Sequence, residues 1–306
     1  MNQMTKAEDQ QMLIPFDFAF ARYEAIRTRL PKATSPVLPQ HANGLLETVE
    51  VYDGYLFDSF GVLNVGDSAI VGAADCLLSL RQRGKPFCIL TNAASYTSAD
   101  AFHKYARLGL DVRPDEILSS RDVLFAHLEA HYSGVTWGAI AAVEDRFADS
   151  TLPIRQLDEV SNWDDAEGFL FLSAARWNEA DQNRLVQSLL RKSRPVLVGN
   201  PDLVAPREGG LTVEPGFWAH DLQDRTGQTV TYFGKPFPEA FTLAAERIGA
   251  GRLAMVGDTL HTDILGGQAA GHGTILVTDH GLFKGREVTP FIKASGIAPD
   301  WIIPTI

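Results

Sequence analysis

The sequence predicts an α/β fold in which a parallel sheet is flanked by helices. From about residue 54 onward, short apolar runs alternate with amphipathic stretches, as expected when buried strands alternate with covering helices. The chain has 306 residues and 45% hydrophobic content, which is enough to bury a large core and predicts about two domains. Polar residues follow several of the apolar runs, and open parallel sheets bind ligands beyond the carboxyl ends of their strands.

The bulk properties exclude several classes of function. A formal net charge of −11 leaves no overall basic surface, so we expect neither nucleic acid nor a membrane as a partner. Residues 1–12 lack the order of a signal peptide, and no later apolar run is long enough to span a bilayer, which predicts a soluble, cytoplasmic protein. Cys76 and Cys88 lack metal-binding spacing and are interpreted as reduced core thiols. His261 and His280 are interpreted as loop residues rather than catalysts.

The first predicted strand of the sheet delivers a carboxylate into a glycine turn. This carboxylate is Asp58, and its position suits an aspartyl nucleophile. A helix predicted over residues 73–83 follows, closed by a glycine. The next buried strand is predicted over residues 86–90 and ends at Thr91 and Asn92.

Two later segments also place charged residues after short apolar runs. Lys235 follows one run, and Asp258 follows another, with Asp263 five residues further on, where it can brace Lys235 or a metal-bound water. The carboxyl ends of parallel strands meet at one edge of a sheet. We therefore expect Asp58, Thr91, Lys235 and Asp258 to converge there.

The segment between Thr91 and Lys235 has its own alternation of predicted strands and helices. We predict an N-terminal extension over residues 1–46 with one helix over 16–29, a core over 47–130 and 209–306, and an inserted unit over 131–208. The insertion can bury a small α/β core. Its elements are predicted as strands over 137–143, 168–172 and 195–199 and a helix over 179–192.

The converging residues suit phosphoryl transfer through an aspartyl phosphate. Such a reaction needs a nucleophilic carboxylate, cations that offset the phosphate charge, and donors that hold the phosphate oxygens. Asp58 supplies the nucleophile and Lys235 the positive charge, while Thr91 offers a hydroxyl and Asn92 an amide. Asp258 is the candidate ligand of a hard divalent metal, for which Mg²⁺ is the expected ion.

The motifs that carry these residues resemble those of the haloacid dehalogenase-like hydrolase superfamily. In order, they are Asp58-x-Phe-Gly-Val-Leu, Leu90-Thr91-Asn92, Gly234-Lys235-Pro236, and Gly257-Asp258 followed by Asp263. The resemblance covers about residues 53–278. The position of the insertion is similar to that in the class IIA, NagD-like group of sugar and nucleotide phosphatases. Two further stretches are similar to that group: Asn200-Pro201-Asp202, which leaves the insertion, and Glu214-Pro215-Gly216, which is predicted to open a core helix.

The resemblance implies a Rossmann-like, doubly wound core with an inserted C2-type α/β cap. It implies a Mg²⁺-dependent phosphate-monoester hydrolase that acts on a small phosphorylated metabolite of sugar or nucleotide type. The implied metal ligands are Asp58, Asp258 and the backbone carbonyl of Phe60, with Asp263 in support. Caps of this kind often carry a dimer contact, so a homodimer is one expectation.

Phe60 departs from the pattern of the family. In its phosphatases the residue two after the nucleophile is usually an aspartate, which protonates the leaving oxygen and later activates water. Phe60 can do neither, and general acid–base catalysis is commonly worth about 10²- to 10⁴-fold in rate. Asn64 and Asp67, on the flap after the turn, are candidates to replace the missing acid.

Two alternatives therefore stay open. One is a phosphometabolite-binding or regulatory protein that keeps the metal and phosphate sites without efficient chemistry. The other is a haloacid dehalogenase, because those enzymes open with Asp-x-Tyr-Gly and use no metal. Against the dehalogenase, only about 30 residues separate Asp58 from Thr91, and Asp258 with Asp263 keeps an acidic, metal-type fourth motif.

Overall fold

The computed structural model describes residues 12–33, 38–157, 163–207, 210–249 and 251–306. The strands are β1 (Leu13–Ile14), β2 (Gln40–His41), β3 (Gly54–Phe57), β4 (Asn64–Val65), β5 (Ser68–Ala69), β6 (Phe87–Thr91), β7 (Ile117–Ser119), β8 (Trp137–Ile140), β9 (Ile154–Gln156), β10 (Gly168–Phe171), β11 (Val196–Val198), β12 (Val204–Arg207), β13 (Gly210–Val213), β14 (Thr231–Tyr232), β15 (Leu253–Gly257), β16 (Gly273–Val277) and β17 (Trp301–Ile303). The helices are α1 (Phe16–Ala25), α2 (Ala73–Gln82), α3 (Ser98–Arg107), α4 (Ser120–His131), α5 (Glu179–Arg191), α6 (Pro215–Thr226), α7 (Pro238–Ile248), α8 (Leu265–Ala269) and α9 (Thr289–Ser295), with a π-helix over Leu260–Ile264 before α8.

The largest sheet is parallel throughout and has the strand order β2-β17-β16-β15-β3-β6-β7. Its inner strand β3, between β15 and β6, is buried on both faces, since Tyr55 and Phe57 join one apolar cluster and Leu56 joins another. Side chains of α2 and α3 complete the first cluster, and side chains of α4 and α7 complete the second. Successive side chains of a strand point to opposite faces, so helices cover both sides of this sheet. The predicted α/β fold is confirmed.

A second parallel sheet has the strand order β14-β11-β10-β8-β9. Phe169 and Phe171 of β10 are fully buried in an apolar cluster with Leu185 of α5. Position 168 has room only for glycine, because a Cβ atom there would lie 2.4 Å from the ring of Trp137. The strands β8, β10 and β11 and the helix α5 all fall in the segment that was predicted as an inserted unit.

The second sheet extends beyond the predicted end of that unit. β14, which we assigned to the core, pairs with β11 of the second sheet. The helix that Glu214-Pro215-Gly216 opens is α6, and its Trp218 and Leu222 pack into the cluster of the second sheet rather than into the core. Because Trp218 and Leu222 form an apolar face of α6 that is buried against the second sheet, both α6 and the following strand β14 pack with that sheet. The predicted boundary residue 208 itself lies outside the described residues.

The N-terminal segment forms a shorter helix than predicted. α1 ends at Ala25, and a separate 3₁₀ turn follows over Arg27–Arg29. β1, just before α1, pairs with β13 in a small antiparallel sheet. Among the described helices, none combines the length and the apolar character that a bilayer crossing requires. Residues 1–11, on most of which the prediction about a signal peptide rests, lie outside the described residues.

The two cysteines occupy the core of the protein. Cys76 lies in α2 and Cys88 in β6, and both are buried free thiols, as predicted. Burial raises the pKa of each thiol to about 12, so both are protonated at neutral pH. Neither residue lies at the candidate site.

Candidate active site

Asp58 lies just beyond the carboxyl end of β3, at the edge of the large sheet. Its backbone N–H donates to the carbonyl of Val256 on the neighbouring strand β15 at 2.9 Å. Its side-chain Oδ1 accepts the N–H of Ser59 at 2.7 Å. The chain then turns at Gly61, which has a φ of 78°. The side chain of Asp58 is 16% exposed, so the carboxylate is fixed in place and still reachable from solvent.

Lys235 is the buried cation of the site. Its Nζ lies 2.6 Å from Oδ1 of Asp58 and 2.8 Å from Oδ1 of Asp263, and its side chain is 2% exposed. Burial alone lowers the pKa of Lys235, but the carboxylates of Asp263 and Asp58 outweigh it, so the net pKa is raised. Lys235 is therefore protonated at neutral pH.

Asn92 holds the backbone of Lys235 in position. Its Oδ1 accepts the N–H of Lys235 at 2.8 Å, and its Nδ2 donates to the carbonyl of Lys235 at 2.9 Å and to Oδ1 of Asp202 at 2.8 Å. The side chain of Asn92 packs closely against Gly234, since a Cβ atom at that glycine would lie 2.5 Å from Oδ1 of Asn92. Both N–H bonds of the amide are thus already donated. In this structure the Asn92 side chain positions the lysine loop and has no free N–H bond, whereas the predicted contact of Asn92 with phosphate stays a prediction.

Asp258 and Asp263 lie on the loop and π-helix that follow β15. Oδ2 of Asp258 accepts the N–H of Leu282 at 2.6 Å, and Oδ2 of Asp263 accepts the N–H of Thr259 at 3.0 Å. Glycine is required beside Asp258, because a Cβ atom at Gly281 would lie 1.8 Å from its Oδ2. These contacts fix both carboxylates in buried positions.

Three of these carboxylates form a cluster that suits a metal ion. Oxygen atoms of Asp58, Asp258 and Asp263 lie within 4.8 Å of one another. Burial, followed by the charge of Asp58, raises the pKa of Asp258 well above its usual range, and burial raises the pKa of Asp263 to about 6. Three carboxyl groups thus share one ammonium group, and their ionised forms are disfavoured until a further cation offsets their charge. Carboxylate oxygens are the donors that hard divalent cations prefer, so the residues present fit such an ion.

A cleft of about 170 Å³ opens over this cluster. The cleft is lined by Asp58, Phe60, Asp258 and Thr91, which lies at the end of β6. Residues that leave the second sheet also line it. The ammonium group of Lys104 lies 4.1 Å from the centre of the Phe60 ring. Phe60 thus lines the cleft with a residue whose side chain can neither donate nor accept a proton, and its ring contacts Lys104.

The two flap residues that we named as candidates to replace the missing acid do not line the cleft. The amide of Asn64 is buried, accepts the hydroxyl of Ser59 at 2.8 Å and donates to the carbonyl of Gly66 at 2.7 Å. Asp67 is exposed, and neither residue is among the described residues that line the cleft. Neither residue is therefore in a position to protonate a leaving group in this structure.

Two residues of the site region were missed or misread from the sequence. Asp202 lines the cleft, and the only signal for it was its place in the Asn200-Pro201-Asp202 stretch. His261 is not a loop residue, since it lies in the π-helix, is 1% exposed, and places Nε2 2.6 Å from Oε1 of Glu24. His280 does lie in a loop, where its Nε2 is 3.0 Å from the hydroxyl of Thr305.

Comparisons with known families agree with this geometry. A model described as haloacid dehalogenase-like hydrolase matches residues 55–148, which include Asp58 and Thr91. A second, described as HAD-hydrolase-like, matches residues 232–306, which include Lys235 and Asp258. The chain belongs to the haloacid dehalogenase-like hydrolases.

Relatives of this hydrolase extend the match across the second sheet. It is 29% identical over 230 residues to a dihydroxyacetone phosphatase of Corynebacterium glutamicum, covering 73% of this chain and 80% of that one. Among solved structures, a possible sugar phosphatase from Cytophaga hutchinsonii superposes with a TM-score of 0.74 and 26% identity, covering 87% of this chain and 98% of that one. NagD from E. coli K-12 superposes with a TM-score of 0.62 and 25% identity, covering 83% of this chain and 96% of that one. The predicted NagD-like group and the predicted class of enzyme, a phosphatase, are confirmed.

Proposed function

We propose that this phosphatase hydrolyses monoesters of small phosphorylated metabolites through an aspartyl phosphate on Asp58, with Mg²⁺ as its cofactor. The observation that carries the proposal is the contact of Asp58 with the buried ammonium of Lys235, beside the buried carboxylates of Asp258 and Asp263. A reachable carboxylate held between a fixed cation and a metal-type cluster is suited to attack a phosphorus atom.

Each residue then takes a role that fits its contacts. Asp58 attacks, Lys235 offsets the charge of the phosphate, and Thr91, which lines the cleft, supplies its hydroxyl as a donor. Asp58, Asp258 and the backbone carbonyl of Phe60 would hold Mg²⁺, which when bound neutralises phosphate charge and orients the phosphate for attack. Asp263 supports the site, because one oxygen meets Lys235 and the other accepts a backbone N–H.

The second sheet, with α5 and α6, is proposed to act as the cap of the enzyme. Residues that leave it, including Asp202 and Val204, line the same cleft as Asp58. The named relatives include a dihydroxyacetone phosphatase and a possible sugar phosphatase. We therefore place sugar phosphates and other small polyol phosphates first among the substrates to test. Because the named relatives are phosphatases, dehalogenation is not proposed.

The test is phosphate release from a substrate panel. Sugar phosphates, glycerol phosphate, nucleoside monophosphates and aryl phosphates are assayed after chelation and again with added Mg²⁺. The parent should release phosphate only with metal. Asp58→Asn keeps the shape of the side chain but removes the nucleophile, so its rate of phosphate release should be lower by about 10³-fold or more. Asp115→Asn, an exposed position on the surface, serves as the matched control. No release by the parent above the level of Asp58→Asn would refute the proposal.

A second candidate function is supported by Phe60. Phe60 lines the cleft at the position where phosphatases of the family carry an acid, which fits a protein that binds a phosphometabolite without efficient turnover. Calorimetry should then show tight, Mg²⁺-linked binding while phosphate release stays at background. A large gain in hydrolysis by Phe60→Asp in the otherwise unchanged chain would favour this second function over the first.

A further inference from the structure

The proposed reaction lacks a group that protonates the leaving oxygen. The carboxyl groups of described residues that line the cleft are those of Asp58, Asp202, Glu214 and Asp258. Asp58 and Asp258 have roles as nucleophile and metal ligand. Both oxygens of Glu214 accept hydrogen bonds, one from Asn200 at 3.2 Å and one from Thr212 at 3.2 Å. Asp202 is the remaining candidate.

Asp202 is held rigidly next to the reaction centre. Its backbone N–H donates to Oδ1 of Asn200 at 3.0 Å, and its carbonyl accepts the N–H of Gly216 at 3.0 Å. Its side-chain Oδ1 accepts Nδ2 of Asn92 at 2.8 Å, and Asn92 in turn holds the backbone of Lys235. The second oxygen, Oδ2, makes no hydrogen bond to the described residues and belongs to a side chain that lines the cleft. One oxygen thus fixes the carboxyl group, and the other is available to a ligand.

We propose that Asp202 is the general acid and base of this enzyme and takes the place of the carboxyl group that Phe60 lacks. The proposal rests on the proposed function. As an oxygen of Asp58 bonds to phosphorus, the bond from phosphorus to the leaving oxygen breaks. The leaving oxygen keeps that electron pair and takes the proton from Oδ2 of Asp202, so that a neutral alcohol departs.

The same residue then serves the second half of the reaction. The carboxylate of Asp202 accepts a proton from water as the water oxygen bonds to phosphorus. The bond from phosphorus to Asp58 breaks, which releases inorganic phosphate and restores the free carboxylate of Asp58. Asp202 ends the cycle protonated, as it began, and no further reactant is needed.

The surroundings of Asp202 favour its acid form. Burial, opposed by Lys235 and reinforced by Asp58, raises the pKa of Asp202 to about 8. The protonated form therefore predominates at pH 7 and is lost as the pH rises through about 8. The charged and titratable groups that face it from neighbouring elements are Lys235, Asp58, Asp263 and Tyr23.

The test compares leaving groups. Asp202→Asn keeps an oxygen that can accept from Asn92 but cannot give up a proton. Its kcat/KM should fall about 10²- to 10⁴-fold on glycerol phosphate or a sugar phosphate, whose alkoxides need a proton. On p-nitrophenyl phosphate, whose leaving group departs without one, the loss should stay within about tenfold. The kcat/KM of the parent on the alkyl substrate should fall above about pH 8, and the kcat/KM of the variant should not show this fall.

Two further variants sharpen the result. Asp67→Asn changes an exposed carboxyl outside the cleft lining and should match the parent on both substrates. Phe60→Asp should restore alkyl phosphatase activity to the Asp202→Asn chain by supplying an acid at the other position. Equal losses on alkyl and aryl substrates, or no loss on either, would overturn the role of Asp202. A parent whose phosphate release equals that of Asp58→Asn would refute the proposed function, and the role of Asp202 with it.

Discussion

Replacing Lys235 with methionine should strongly destabilise the metal-free protein. The ammonium group is 2% exposed and meets two carboxylates at 2.6 and 2.8 Å. At an effective dielectric constant of about 20, each contact is worth roughly 6 kcal/mol of Coulomb energy, from which the desolvation of three buried charges must be subtracted. Removing one partner of a buried pair typically costs about 3–5 kcal/mol, because the remaining charges stay buried and uncompensated. We expect a loss of that size for Lys235→Met at pH 7.

The dependence of this loss on pH follows from the carboxylates. Asp263 already has a pKa raised to about 6, and the loss of Lys235 raises it further. A carboxyl group whose pKa is higher in the folded than in the unfolded protein destabilises the fold once the pH exceeds its unfolded pKa. The deficit of Lys235→Met should therefore be largest at neutral and alkaline pH and shrink toward pH 5.

Urea unfolding of the chelated protein at pH 5, 7 and 8 measures both effects. Lys284→Met makes the same substitution at an exposed position and should change the free energy of unfolding by less than about 0.5 kcal/mol. If Lys235→Met differed from the parent by no more than this control at pH 7, the ion pairs would not hold the site together as argued.

Three further outcomes are expected. Mg²⁺ at 100 times its dissociation constant should raise the free energy of unfolding by about 2.7 kcal/mol, and Asp258→Asn should abolish most of this gain; an equal gain in both chains would contradict the metal site. Burial, with the nearby arginines, lowers the pKa of His220 to about 3, so that acid favours the unfolded state. From pH 7 to 5 the parent should lose about 2 kcal/mol more than His220→Gln, as urea unfolding at both pH values can show, and parallel losses would contradict this. Arg121 is fully buried, with short ion pairs to Asp145 and Asp149, so Arg121→Met should cost about 3–5 kcal/mol in urea unfolding, and a cost below about 1 kcal/mol would show that these pairs are not needed.

The sequence predicted the large sheet well because its strands are apolar on both faces. Tyr55, Leu56 and Phe57 must each be covered, and an uninterrupted apolar run is the pattern of a buried parallel strand. The assignment of β14 was wrong for the opposite reason. Thr231 and Tyr232 form only two residues of strand, and so short a run does not indicate which sheet it joins.

The site was predictable where it depends on strand ends and not where it depends on side-chain contacts. Asp58 and Asp258 follow neighbouring strands of one sheet, so their proximity follows from the topology. The pairing of Asn92 with Asp202 joins residues 110 positions apart, and no local pattern encodes it. The sequence therefore indicated which residues carry charge and left open which of them hold the others in place.

The N-terminal helix α1 was predicted without any indication of what it contacts. The hydroxyl of Tyr23 accepts the N–H of Leu203 at 3.1 Å, and its ring stacks on His261 at 4.7 Å. Leu203 follows Asp202 in the segment that leaves the second sheet, whereas His261 lies in the π-helix beside Asp258. Burying an aromatic ring contributes about 1.5–3 kcal/mol, more than an exposed ion pair. Because Tyr23 contacts both segments, any movement that widens the cleft at Asp202 must break this contact or carry α1 with it.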